Sequence, residues 1–346
     1  HSNVQGDRTV GITELPKEDM LARLDARFGI ASPRKPGHSA VEALAAMASG
    51  DARALIALGG NLAVAMPDPQ LCFPAFRKLD LAVHILTKFN RSCLLPARET
   101  IVLPCLGRTE LDVQASGPQW VTVEDSMSMV HASRGRLKPA AEGLKSEPAI
   151  VAAMARATLG DGGIDWEWLV ADYDRIRDAI EAVFPDFRDF NNRVRVPGGF
   201  RLTVGPAQRQ WPTPDGKAHF LTAGDGGAHV LEDRLMLATI RSHDQYNTTI
   251  YGLNDRYRGI TGRRDILFMN AADMARLGIA HGDRVDVVAA PDRVLAGQTA
   301  IHHDIAPGSV AAYYPEANGL LPLDGHDRQS GTPAYKTIPV LIRPAA

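Results

Sequence analysis

Residues 235–251 read LMLATIRSHDQYNTTIY. The first part has the composition of a strand: Leu235, Met236, Leu237 and Ile240 are apolar, and no Gly or Pro interrupts them. A dense polar run follows, made of Thr239, Arg241, Ser242, His243, Asp244, Gln245, Asn247, Thr248 and Thr249. Such a run makes a poor core element, because every buried donor or acceptor needs a partner. It suits a polar, anionic ligand rich in acceptors, to which Arg, Asn, Gln and Thr offer N–H and O–H groups. A polar surface loop is the other reading, and the stretch alone leaves both open.

Four further segments bear on the choice. Residues 268–288 read FMNAADMARLGIAHGDRVDVV, 306–310 read APGSV, 314–318 read YPEAN and 333–336 read PAYK. With Thr239-x-Arg241-x-x-x-Gln245-x-Asn247-Thr248 they resemble, in the same order, the C-terminal molybdopterin-dinucleotide-binding domain of the dimethyl-sulfoxide-reductase superfamily. Formate-dehydrogenase-like alpha subunits are the members they resemble most. One short motif is weak, whereas several in order across about a hundred residues are specific.

The chain has 346 residues, more than one compact core usually holds, so two domains are expected. Its net charge of −2 offers no electrostatic case for nucleic acid or an anionic membrane. No apolar run is long enough to span a bilayer. Cys72, Cys93 and Cys105 are too few and too scattered for an iron–sulfur or zinc motif. Buried reduced thiols are the expectation, in a reducing, cytoplasmic compartment. No signal peptide is visible and the chain opens at His1, so it reads as the C-terminal portion of a longer polypeptide.

Along the first part, Asn3-Val-Gln-Gly6 resembles a segment lining the active-site floor of formate-dehydrogenase-like enzymes. A helix is predicted from Pro16 to a stop at Gly29, with Glu18 and Asp19 in its first turn. A second opens on a Ser39/Glu42 capping box and ends at Gly50. The apolar run 54–58 predicts a strand buried on both faces of a parallel sheet. It runs into Gly59-Gly60-Asn61, where glycines let backbone N–H groups approach a phosphate; a plain tight turn is the alternative. The turn resembles the family's Gly-x-Asn-Pro, with Leu62 in place of the Pro. A helix over 69–79 and a strand over 81–86 complete a βαβ unit. Residues 87–92, beginning at Thr87, leave the same sheet edge and are a second candidate for ribose, phosphate or guanine contacts, or a solvated loop. Helices are expected over 147–159 and 166–184, the second with Trp168, Leu169, Tyr173, Ile176, Ile180 and Val183 as its apolar stripe.

From residue 200 short strands dominate: 201–204, 218–222, 235–240, 266–269, 284–288, 298–302, 310–314 and 338–342. They predict a closed or nearly closed β domain, with Asn270 capping a short helix that ends at Gly278. His302 and His303 are adjacent in a strand, so they face opposite ways and cannot easily share one metal ion.

The resulting expectation is an α/β protein, with a Rossmann-like parallel-sheet domain over 1–197 and a β domain over 198–346. The resemblance implies that the second is double-psi-barrel-like. It also implies molybdopterin guanine dinucleotide (bis-MGD) with Mo, held in part by Gly59, Gly60, Asn61, Thr87, Thr239, Arg241, Ser242, His243, Gln245, Asn247, Thr248, Asn318 and Lys336. The metal ligand, the catalytic residues and any 4Fe-4S cluster are implied only for the N-terminal half of the full-length protein. Partners so implied are that half, a small-molecule substrate and an electron-transfer partner. A non-catalytic cofactor-binding or interaction module is the alternative. An ordinary nucleotide-dependent enzyme is disfavoured, since no Walker loop, Gly-x-Gly-x-x-Gly or nucleophile elbow is present.

Overall fold

The computed structural model describes residues 15–160, 162–220, 233–248, 250–327 and 330–345. The segment 3–6, residues 221–222 and Thr249 lie outside the described residues. Helices α1 (Glu18–Phe28) and α2 (Ala40–Ser49) stop at Gly29 and Gly50, both left-handed, where glycine carries no Cβ penalty. The capping box at α2 is formed in both directions, with Glu42 N donating to Ser39 Oγ and Ser39 N to Glu42 Oε2. Strand β1 (Ala54–Leu58), helices α3 (Leu62–Ala65) and α4 (Pro69–Arg77), and strands β2 (Leu81–Leu86) and β3 (Glu99–Pro104) follow.

The sheet order is β1-β2-β3, and β1 runs parallel to β2 with Ile56 opposite Val83. Central β2 is buried, with Ala82 and Ile85 wholly so. The expectation for β1 is corrected: it is an edge strand, and Ile56 and Leu58 are 60% and 53% exposed. Five apolar residues in a row carry no signal for which strand lies at the edge.

Contacts divide the chain into two compact units, each of two segments: 1–37 with 104–222, and 38–103 with 223–346. The packing unit that holds β1 and β2 therefore also holds the residues beyond 223, across the expected boundary at 197.

In the first unit, short strands β4 (Val113–Gln114) and β5 (Gly117–Pro118) form one hairpin. Strands β6 (Val121–Glu124), β7 (Met129–Ser133) and β8 (Phe200–Arg201) form a small sheet. So the strand expected over 201–204 is shorter and pairs with β7. Helix α5 (Glu147–Leu159) has the expected bounds. The helix expected over 166–184 is two, α6 (Trp166–Ala171) and α7 (Tyr173–Val183). Asp172 breaks it: the residue is extended and its carboxylate accepts from Asp174 N, capping α7. Trp168 lies outside the buried face and is 45% exposed, whereas Leu169 is buried. Helix α8 (Phe190–Arg195) precedes β8. No strand forms over 218–220.

In the second unit β9 (Leu235–Ile240), β10 (Ile266–Met269), β11 (Arg284–Ala290), β12 (Arg293–His302), β13 (Ser309–Tyr313) and β14 (Ile338–Pro344) close a six-stranded barrel in the order β10-β12-β11-β14-β9-β13. Helix α9 (Ala271–Leu277) has Asn270 as N-cap and left-handed Gly278 as its stop, as expected. β9 alternates buried and half-buried residues, so Leu235, Leu237 and Thr239 face inward together. Leu237, Leu267, Met269, Val287 and Val340 fill the core, each fully buried large side chain contributing about 1.5–3 kcal/mol. Among the described residues no helix is long and apolar enough to cross a membrane.

Candidate functional site

β1 delivers the chain into Gly59 and Gly60, both left-handed, with φ of 66° and 72°. A Cβ at either would meet nothing within 4 Å, so the glycines serve backbone conformation and not close packing. The turn is tied to the loop after β2. Asn90 Nδ2 donates to Gly60 O at 2.6 Å, and Asn61 Oδ1 accepts from Ser92 N at 3.3 Å and Ser92 Oγ at 3.1 Å. Thr87 stands exposed at the end of β2.

The barrel reaches the same turn. Asn61 Nδ2 donates to Thr248 O at 3.5 Å. Asn318 Nδ2 donates to Val64 O at 2.7 Å, and the Tyr335 hydroxyl to Ala65 O, also at 2.7 Å. The Tyr314 hydroxyl lies 3.2 Å from Ala65 O and 3.0 Å from Asn247 Oδ1. Burial drives the hydroxyls of Tyr314 and Tyr335 upward in pKa, so both stay protonated donors.

The polar run that leaves β9 divides into two sets. Thr239, Ser242 and Thr248 are buried. Gln245 is spent within the protein: Oε1 accepts from Ser242 N at 2.9 Å, and Nε2 donates to Asn247 O at 2.8 Å and Tyr314 O at 2.7 Å. The hub of this set is Arg264, 6% exposed. It donates to Ser242 Oγ, Gln245 Oε1 and Tyr314 O, pairs with both Glu316 oxygens, and lies 4.5 Å from the Tyr251 ring and 4.6 Å from that of Tyr313. Sequence reasoning missed Arg264 and Glu316. The doublet Arg263-Arg264 reads as ordinary surface charge, and nothing local shows that one of the two is buried.

Arg241, His243 and Lys336 form the other set. Among the described residues no carboxylate pairs with Arg241 or Lys336. The Arg241 guanidinium lies 5.6 Å from the Tyr314 ring centroid. Lys336 Nζ donates to Thr239 O. Its pKa is pulled below the ordinary lysine value, first by burial and then by the charge of Arg241. The His243 ring lies 3.8 Å from that of Tyr257, tilted 55° to it, and its Nε2 lies 3.3 Å from Asp244 Oδ1. Arg241, Ser242, His243, Tyr257, Arg258 and His303 line a cavity of about 360 Å³.

These residues fit a large anionic ligand. Two neighbouring cations lack a counter-carboxylate, and an anion would relieve their repulsion. Among the described residues the buried Asn318 Oδ1 has no donor, and a ring N–H of a ligand would supply one. The left-handed glycines lie beside the same junction.

The parallel α/β sheet and the closed barrel share one polar junction, a usual place for a ligand site. Residues 235–339 match the family described as the molydopterin dinucleotide binding domain. The whole chain is 52% identical to Protein YdeP of Shigella flexneri, of which it covers 47%. It is 46% identical to an uncharacterized oxidoreductase of Mycobacterium tuberculosis, of which it covers 46%. The chain thus spans about half the length of the curated relatives it matches. Its fold is similar to that of acetylene hydratase from Pelobacter acetylenicus, with a TM-score of 0.60 at 15% identity over 96% of this chain and 51% of that one. With residues 235–339 in the molydopterin dinucleotide binding family, the chain is similar to the molybdopterin proteins of the dimethyl-sulfoxide-reductase superfamily.

Proposed function

We propose that this chain is the C-terminal part of a molybdenum-dependent, formate-dehydrogenase-like oxidoreductase and holds molybdopterin guanine dinucleotide in its bis-MGD form. The observation that carries the reading is the uncompensated pair Arg241 and Lys336 at the exit of β9, inside the span that matches the dinucleotide-binding family. Arg241 and Lys336 would hold diphosphate oxygens, His243 and the cavity around it would hold a ring system, and the Gly59–Gly60 backbone would face the nucleotide end. Asn318 Oδ1 would accept from a ring amino group. When bound, the cofactor supplies a dithiolene-held molybdenum that exchanges two electrons with a substrate. The chain's own residues orient it and balance its charge, and they hold the Gly59–Asn61 turn against the barrel. Formate is the substrate suggested by the sequence resemblance. An electron-transfer partner and a 4Fe-4S cluster in the remaining half of the polypeptide belong to the same proposal. So does a reducing, cytoplasmic compartment, supported by three free cysteines, with burial raising the Cys72 thiol to about 12.

The test is made on the full-length protein. Acid extraction should release guanine nucleotide, elemental analysis should find molybdenum, and formate should reduce an artificial dye. Nucleotide and metal without turnover of any small substrate would favour the non-catalytic module. No nucleotide at all would overturn the reading.

A further inference from the structure

Directly after β7 the sequence reads Arg134-Gly135-Arg136. Gly135 is buried, and a Cβ placed on it would stand 1.9 Å from Glu110 O, so only glycine lets the two backbones meet there. The segment is held from both sides. Arg136 N and Leu137 N donate to Thr109 O at 2.8 and 2.9 Å, and Leu111 N donates to Leu137 O at 2.8 Å. While Gly135 faces inward, Arg134 and Arg136 are exposed, and both line a cavity of about 650 Å³ together with Trp120, His131 and Arg195. The far wall is equally fixed: Gly199 has φ of 68°, and a Cβ there would stand 1.8 Å from Val130 O.

The charges around this groove are unevenly matched. Arg195 is engaged by Asp174, which also holds Arg177. His131 is engaged by Asp125 at 2.7 Å. The carboxylate of Glu110 is taken up by the backbone N–H groups of Gly107 and Ala140. Arg108 reaches Ser133 Oγ at 3.4 Å. Among the described residues nothing accepts from the guanidinium of Arg134 or Arg136. Two planar forks carried on a rigid backbone, in a chain of net charge −2, are arranged for a ligand with paired oxygens.

We propose that this groove is a further binding site, and that it takes a small organic oxyanion, carboxylate or phosphoryl, bridging Arg134 and Arg136. Trp120 offers an apolar surface beside it. Arg177 stacks on that indole with its guanidinium carbon 4.5 Å from the ring centroid. The proposal does not depend on the bound cofactor.

The test is calorimetric titration of the whole chain with inorganic phosphate and, separately, with succinate. The variants are Arg134→Gln, Arg136→Gln and the double substitution, with Arg27→Gln as a control. Saturable binding of at least one probe is expected, about tenfold weaker in each single variant and lost in the double one, with the control unchanged. Phosphate alone identifies a phosphoryl ligand, succinate alone a dicarboxylate, and both a general oxyanion site; each supports the proposal. Both arginines are exposed, so the variants should keep the parent melting temperature. Binding of neither probe, binding unchanged in the double variant, or equal loss in the control would overturn it.

Discussion

Arg264 donates through Nε to Glu316 Oε1 at 2.6 Å and through a terminal nitrogen to Glu316 Oε2 at 3.1 Å. The pair joins the residues before β10 to those after β13, and through Ser242 and Gln245 it also holds the exit of β9. It thereby fixes the backbone on which Arg241 and His243 stand.

Arg264→Met would strand the Glu316 carboxylate and leave Tyr314 O with one donor fewer. The expected loss is about 3–5 kcal/mol of unfolding free energy. Glu316→Gln keeps an acceptor for one guanidinium nitrogen but leaves the buried cation without its carboxylate, so it should destabilise as well. Urea unfolding of the two variants checks both losses, and a change within about 0.5 kcal/mol in Arg264→Met would place Arg264 outside the network described.

Asp68 is the N-cap of α4 at a left-handed φ of 56°, and its carboxylate accepts from Leu71 N at 3.2 Å and from Arg293 at 2.8 Å. With side chains 7% and 16% exposed, this pair is little screened by solvent. Asp68→Ala loses the cap, the left-handed tolerance and the partner of Arg293, for a combined cost of about 3 kcal/mol. Asp68→Asn keeps the first two and should lose roughly half as much. Thermal unfolding distinguishes them.

Lys336 gives a pH signature with a definite sign. Its folded pKa lies below the ordinary lysine value of 10.5. Between the two values the unfolded chain holds more protons, so stability rises with pH across that window. A bound anion favours the ammonium and raises that pKa again. Affinity for an anionic ligand should therefore fall as pH rises from neutrality through the folded value. Lys336→Gln should flatten both dependences. Stability and nucleotide-phosphate binding measured from about pH 7 to about pH 10 give the answer, and an unchanged slope in the variant would exclude Lys336 as its source.

Much of this was legible before any coordinates. β1, β2, β9 and β10 begin and end where their apolar runs do, and the caps at Ser39, Gly50, Asn270 and Gly278 use residues whose local chemistry is visible in one dimension. The edge position of β1 and the break at Asp172 were harder, because both depend on what packs alongside. At the site, the polar run marks a candidate stretch but does not show its division of labour. Gln245 and Ser242 hold the loop, whereas Arg241 and Lys336 are left without carboxylates. That split is decided by Arg264, Tyr314 and Glu316, which are distant in sequence and join the loop only through tertiary hydrogen bonds.

The most direct measurement is cofactor occupancy in the full-length protein carrying Arg241→Lys, with thermal stability followed in parallel. A lysine keeps the charge but not the fork, so one charge-assisted hydrogen bond is lost, worth about 1.5–3 kcal/mol, or roughly ten- to a hundredfold in affinity. The account predicts a marked fall in guanine nucleotide and molybdenum per chain at an unchanged melting temperature, because Arg241 is exposed and pairs with no carboxylate among the described residues. Full occupancy in the variant would contradict it.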